Sequence, residues 1–131
     1  MAKYAYPAVF TREGDAYSVS FPDIKGCVTF GSTLPEAMEM AEDALCLVLY
    51  DKEETGADIP AASDIKAVQM ATDEVVSLVS CDTVEYRKFF DSRAVKKTLT
   101  IPNWLNTLSE RAGINFSSVL QNALKEQLNI D

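Results

Sequence analysis

Residues 95–131 read VKKTLTIPNWLNTLSERAGINFSSVLQNALKEQLNID, and this stretch decides the architecture. Val95, Leu99 and Ile101 share one parity and Lys96, Thr98 and Thr100 the other, the period-2 pattern of a strand with one buried face. Pro102 ends the strand. A helix is expected over 103–112, with Trp104, Leu105, Leu108 and Ala112 on one side. Gly113 sits where a helix closes with a left-handed residue, and Asn115 where the next helix needs a side-chain cap. The second helix, 116–128, carries Val119, Leu120, Ala123, Leu124 and Leu128 on one face. The order is β-α-α. Below about 40 residues a chain rarely buries enough apolar surface without a metal, a disulfide or a second copy. This segment has no Cys and no His, so a second copy is expected.

Pairing two copies antiparallel satisfies both the lone strand and the apolar helix faces. The two strands form a ribbon, and Leu99, Ile101, Trp104, Leu105, Leu108, Leu120, Leu124 and Leu128 form the dimer core. Lys96, Thr98 and Thr100 from each chain then face outward. A two-stranded ribbon fits the major groove of DNA, where lysine can donate to guanine and threonine can offer a hydroxyl and a methyl group. Phe116, Ser117 and Ser118 open the second helix, whose free N–H groups suit a phosphate, and Arg93 and Lys97 stand nearby. On these residues, the segment KKTLTIPNWLNTLSERAGINFSSVLQNALKEQL resembles the ribbon-helix-helix (Arc/MetJ/CopG-type) repressors.

Upstream, residues 3–11 and 16–21 read as a β-hairpin turning at Glu13-Gly14-Asp15, with Tyr17, Val19 and Phe21 alternating against Ser18 and Ser20. Residues 27–30 form a third strand. Thr33 and Glu36 have capping-box spacing, and Pro35 is tolerated in a first helical turn. A helix then runs to about Glu54, with Ala37, Ala41, Ala44, Leu45 and Val48 on one face and Glu39, Glu42, Asp43 and Asp51 on the other. Gly56 ends it, and 58–63 is a loop. Residues 74–81 are β-branched and read as a fourth strand, with 68–71 as a candidate partner; 84–91 suits a short connecting helix. The fold class expected is α+β: a β-β-β-α-β domain over 1–83, a linker over 84–94, and the β-α-α module over 95–131.

Charge divides the chain in the same place. Residues 1–83 hold 5 Lys/Arg and 15 Asp/Glu, whereas 84–131 hold 7 and 5, so an acidic body precedes a mildly basic tail. Arg87, Lys88, Arg93, Lys96 and Lys97 concentrate the positive charge beside the ribbon strand. The body repels phosphate and suits a basic partner.

The run FPDIKGCVTFGSTLPEAMEMAEDAL, residues 21–45, resembles the HicB antitoxins, with Pro22, Gly26, Cys27, Gly31, Thr33, Glu36 and Ala37 in the motif positions. The resemblance spans nearly the whole chain. It implies a partial RNase H-like N-terminal domain, a ribbon-helix-helix C-terminal domain, and a small basic RNA-cleaving toxin, HicA, as partner. It also implies repression of the shared operon from operator DNA, with homodimers or paired dimers reading half-sites.

Other chemistries find little support. The chain has no histidine, so Ser/His and Cys/His triads are impossible. A two-metal nuclease needs converging carboxylates. Asp15 and Asp23 lie in turns, and Glu36, Glu39 and Asp43 on an exposed helix face, so no enzyme and no cofactor are expected. Cys27, Cys46 and Cys81 are scattered and odd in number, which suggests neither a disulfide nor a metal site, and a reducing cytoplasm. Cys27 reads as a buried hydrophobe, and Met38, Met40 and Met70 as core or gap fillers. The N-terminus lacks a signal-peptide pattern, and no apolar run is long enough to span a membrane. The acidic residues Glu39, Glu42, Asp43, Asp51, Glu53 and Glu54 read either as a solvated face or as a partner surface. A repressor whose front domain senses a small molecule is the alternative reading.

Overall fold

The computed structural model describes residues 2–131, which divide into two units, 2–93 and 94–131. In the first, strands β1 (Lys3–Glu13), β2 (Ala16–Ser20), β3 (Val28–Gly31) and β4 (Glu74–Asp82) form one antiparallel sheet in the order β3-β2-β1-β4. Helix α1 (Leu34–Thr55) packs on one face, and a short helix α2 (Thr83–Phe90) follows β4 directly. The expected partner for β4 at 68–71 is not a strand. The chain makes a single 3₁₀ turn at Ile65–Ala67, and β4 instead takes the central strand β1, from Lys3 opposite Asp82 to Thr11 opposite Glu74. Sequence proximity favoured the local pairing; the longer ladder with β1 wins because it also buries a face of β4 beneath the helix.

Alternation builds the core. Tyr6, Ala8 and Phe10 of β1, Val19 of β2, and Val79 and Cys81 of β4 lie on the side covered by Ala37, Ala41, Leu45 and Leu49 of α1. Ala37 and Ala41 are fully buried, and their small side chains let the helix axis come close to the sheet. The start of α1 follows its sequence signal: Thr33 is the cap, its hydroxyl accepts from the Glu36 N–H, and Pro35 lies in the first turn. The helix ends at a left-handed Gly56.

Gly31 has a different purpose. A Cβ at this position would lie 2.6 Å from the Ala37 Cα and 2.9 Å from the Glu36 carbonyl carbon. These are backbone atoms that cannot swing away, so glycine lets β3 press against the first turn of α1.

Two expectations are corrected here. Cys46 of α1 and Cys81 of β4 form a disulfide, with Cα atoms 5.5 Å apart, within bridging range. A separation of 35 residues concealed the pair; only the packing of α1 on β4 reveals it. Met38, Met40 and Met70 are exposed, not core: Met38 and Met40 fall off the α1 stripe of Ala37, Ala41, Leu45 and Leu49 that meets the sheet, and Met70 lies in the loop before β4. Cys27 is buried as expected, and burial pushes its thiol above the ordinary range, away from nucleophilic use.

Segment 84–94 is mostly not free chain, since Thr83–Phe90 is helical and belongs with the first unit. In the second unit, helices α3 (Asn103–Arg111) and α4 (Phe116–Leu128) stand where the periodicity placed them, with Gly113 at φ 69° and Asn115 capping α4 through the Ser118 N–H. Residues 95–101 form no ladder in the single chain and are exposed throughout. The strand expected over these residues is therefore absent from the single chain, where no neighbouring segment among the described residues offers it a ladder.

Two stability predictions follow from this packing. Gly31→Ala should lower the unfolding free energy by about 2 kcal/mol or more in urea titration, since overpacking against backbone is costly. Reduction of Cys46–Cys81, followed the same way with and without dithiothreitol, should cost about 3–4 kcal/mol by the loop-entropy relation.

Candidate functional site: an acidic helix face and an exposed β-α-α tail

One end of the first unit is organised around a buried carboxylate. Glu53, on the last turns of α1, accepts from the Tyr4 hydroxyl of β1 at 2.9 Å, the Thr83 hydroxyl at 2.9 Å and Arg87 Nη2 of α2 at 3.0 Å. Its side chain is only 6% exposed. Arg87 Nη1 reaches Glu54 as well, and the guanidinium lies 4.7 Å from the centre of the Tyr50 ring. Burial disfavours the charged carboxylate, but the hydrogen bonds from Arg87, Tyr4 and Thr83 help outweigh it and hold Glu53 down at about 2. In turn Glu54 first, then Glu53, raise Arg87 further above its ordinary range.

This cluster revises two sequence readings. Glu53 does not belong to the exposed acidic face, and Arg87 is not available to DNA, since both are committed to tying α2 onto α1 and β1. Thr83 completes the tie: its hydroxyl accepts from the Ala2 N–H and its own N–H donates to the Ala2 carbonyl.

The remaining acidic residues of α1 do face solvent. Glu36, Glu39, Glu42, Asp43 and Asp51 are exposed, and among the described residues none has an ion-pair partner. Neither these nor Asp15 and Asp23 converge as a metal site, and Asp23 instead accepts from the Ser63 amide and hydroxyl across a loop. Elsewhere on the unit, an open cleft of about 500 Å³ is lined by Phe10, Tyr17, Leu34, Met38 and Val75, with Arg12 and Glu74 at its rim.

The tail shows what the sequence pattern requires of it. Leu99, Ile101, Trp104, Leu105, Leu108 and Leu124 are all exposed in the single chain, Trp104 to 65%, and Leu120 is half-buried. Neither α3 nor α4 buries any residue fully. Lys96, Lys97, Thr98 and Thr100 are exposed beside them. Arg93 pairs at 3.1 Å with Asp91 while remaining largely in solvent. At the start of α4, Asn115 already occupies the Ser118 N–H, so the Phe116 and Ser117 N–H groups and the two serine hydroxyls are what the helix offers an anion. Sequence reading missed the Glu53 cluster because no local motif brings residues 4, 53, 83 and 87 together.

The buried carboxylate has a pH signature. A folded value near 2 against an ordinary 4.5 means its stabilisation is fully present above about pH 4.5 and is lost as pH falls towards 2. The upper bound is about 3 kcal/mol. Glu53→Gln should therefore be destabilised at neutral pH by about 2 kcal/mol, with the gap to wild type closing in urea titrations repeated from pH 5 to pH 2.5.

Comparison with known proteins follows the same outline. Residues 6–123 match the family described as HicB-like antitoxin of bacterial toxin–antitoxin system. An uncharacterised 14.9 kDa protein from the rep-hol intergenic region of Haemophilus phage HP1 is 29% identical over 100 residues, covering 74% of this chain and 72% of that protein. Among solved structures, a chain of a toxin–antitoxin complex from Streptococcus pneumoniae superposes with TM-score 0.62 at 30% identity, covering 95% of this chain and 99% of that one. The Burkholderia pseudomallei antitoxin HicB superposes with TM-score 0.53 at 25% identity over 98% and 99%.

Proposed function

The chain belongs to the HicB-like antitoxin family of bacterial toxin–antitoxin systems, and from that premise we propose that it neutralises a small basic HicA-type RNA-cleaving toxin and represses its own operon. The observation that carries this reading is the family match over residues 6–123, which spans both units. The first unit, read as partial RNase H-like, binds the toxin. It carries 8 Lys/Arg and 17 Asp/Glu in residues 1–93, a charge that speeds encounter with a basic partner and turns nucleic acid away. Because the toxin's substrate is messenger RNA, the complex acts in the cytoplasm; the Cys46–Cys81 disulfide removes the cysteine-based argument for that compartment, which follows from the partner alone.

The second unit is the ribbon-helix-helix dimer. Its support is physical: a segment of 38 residues, 94–131, with its large apolar side chains exposed cannot hold itself together, and a second copy supplies both the strand partner and the helix faces. In that dimer Leu99, Ile101, Trp104, Leu105, Leu108, Leu120 and Leu124 form the core. Lys96, Thr98 and Thr100 read base edges, and Lys97, Arg93, Phe116, Ser117 and Ser118 hold phosphates. Two dimers on two half-sites add avidity.

A second reading has one observation in its favour. The apolar cleft between Phe10, Tyr17, Leu34 and Met38 is large enough for a small ligand, as a sensing repressor would need. The neighbouring reading frame separates the two: a short basic protein whose toxicity is relieved by co-expression of this chain supports the antitoxin, and a metabolic enzyme supports the sensor.

The two sites should separate by mutation. Thr98→Ala or Lys96→Ala should weaken binding to the upstream operator fragment by about 1–3 kcal/mol in fluorescence anisotropy. Either variant should rescue growth from the toxin as well as wild type does, and loss of rescue would contradict the two-site arrangement.

A further inference from the structure

The outer side of α1 carries apolar side chains where a merely solvated helix would carry polar ones. Met40 and Leu47 are two turns apart on that side, 40% and 59% exposed. Glu36, Glu39, Asp43 and Asp51 surround them, each exposed and, among the described residues, without an ion pair. Tyr50, one turn beyond Leu47, continues the strip onto α2. Its ring meets Tyr86 edge-on at 5.4 Å, and Tyr86 meets Phe90 at 4.5 Å. Phe90 is 62% exposed, and Phe89, 4.8 Å away, is 78% exposed. The Glu53–Arg87 tie fixes α2 in this position, so the strip is a built surface of one unit.

A Met-Leu-aromatic centre inside a charged rim is the composition of a protein interface, apolar at the core and polar at its edge. The charge selects the occupant. A second copy of this face would set the same carboxylates against one another, and a nucleic acid would meet them with its phosphates. A basic protein satisfies both the rim and the centre. The open face of the sheet also exposes Val28 and Phe30 on β3, but the neighbouring positions on β2 are Ser18 and Ser20, which carry no charge to choose a partner.

We propose that the outer side of α1, continued through Tyr50 to Phe90, is the surface on which the chain takes its toxin. Met40, Leu47 and Phe90 are the anchors, and Glu39 and Asp43 steer the encounter. The proposal rests on the antitoxin reading above and adds the place of contact.

The test uses the full chain and the protein encoded beside it, purified in a catalytically silenced form, with binding followed by calorimetry and stopped-flow. Leu47→Asp should weaken the complex roughly 30-fold or more, as loss of an interface anchor does. Glu39→Lys with Asp43→Lys should slow association roughly 10-fold and flatten its salt dependence. Phe30→Ala should bind as wild type does. All positions are exposed, and unchanged melting and circular dichroism will show that the variants fold; should Leu47→Asp not fold, the charge-reversal pair alone decides. If the wild-type chain binds the neighbouring protein but both α1 variants bind within twofold of it, the surface is wrong and the antitoxin reading stands. A loss confined to Phe30→Ala moves the site to the open sheet face. A wild-type chain that does not bind at all overturns both.

Discussion

One buried carboxylate connects the parts of the first unit. Glu53 is reached from the first strand by Tyr4 and from α2 by Thr83 and Arg87. A carboxylate removed from water is costly unless its lone pairs are filled. Here β1 and α2 fill them, so neither can shift away from α1 without incurring that cost. The disulfide between Cys46 and Cys81 acts two turns earlier on the same helix, joining α1 to β4 covalently. Together they fix the end of the sheet from which the chain departs towards the second unit. The opposite end is held by shape, where Gly31 lets β3 meet the first turn of α1.

The chain's two units solve the problem of a small core in opposite ways. The first closes on itself: the face of α1 carrying Ala37, Ala41, Leu45 and Leu49 covers the sheet, and Glu53 is tied to β1 and α2 from within. The second leaves Trp104, Leu105, Leu108 and Leu124 in solvent and its strand segment without a ladder. That contrast matters for function, because a unit that is complete alone can offer a surface to a different protein. A unit that leaves its large apolar side chains in solvent needs further surface to bury them, which is the physical ground for the dimer proposed above.

Elements whose signal is periodic and local were legible in the sequence. The capping of α1 by Thr33, the ends of α3 and α4 at Gly113 and Asn115, and the hairpin of β1 and β2 all follow from residues within a few positions of one another. What escaped depends on distance along the chain. The β1–β4 ladder pairs residues such as Lys3 and Asp82, the disulfide joins positions 35 apart, and the Glu53 cluster draws on β1, α1 and α2. Composition even pointed the wrong way at Arg87, whose charge counts towards a basic tail in the sequence but is neutralised by Glu53 and Glu54 in the fold. Methionines were assigned to core or gap filling on hydrophobicity alone, whereas Met38 and Met40 lie off the stripe of Ala37, Ala41, Leu45 and Leu49 by which α1 meets the sheet.

The misplaced arginine and the misplaced methionines are two sides of one arrangement. Moving Arg87 out of solvent and onto Glu53 seats α2 beside Tyr50, and that seating sets Phe90 in line with Leu47 and Met40. Of the basic cluster counted in the sequence, Arg93, Lys96 and Lys97 remain exposed, while Glu36, Glu39, Asp43 and Asp51 on the outer face of α1 remain exposed and, among the described residues, without an ion pair. The free carboxylates of the outer α1 face are thus kept apart from the Arg87 guanidinium, which Glu53 and Glu54 neutralise. Such a separation favours the basic partner proposed above, since a cation exposed among those carboxylates would weaken their attraction for it.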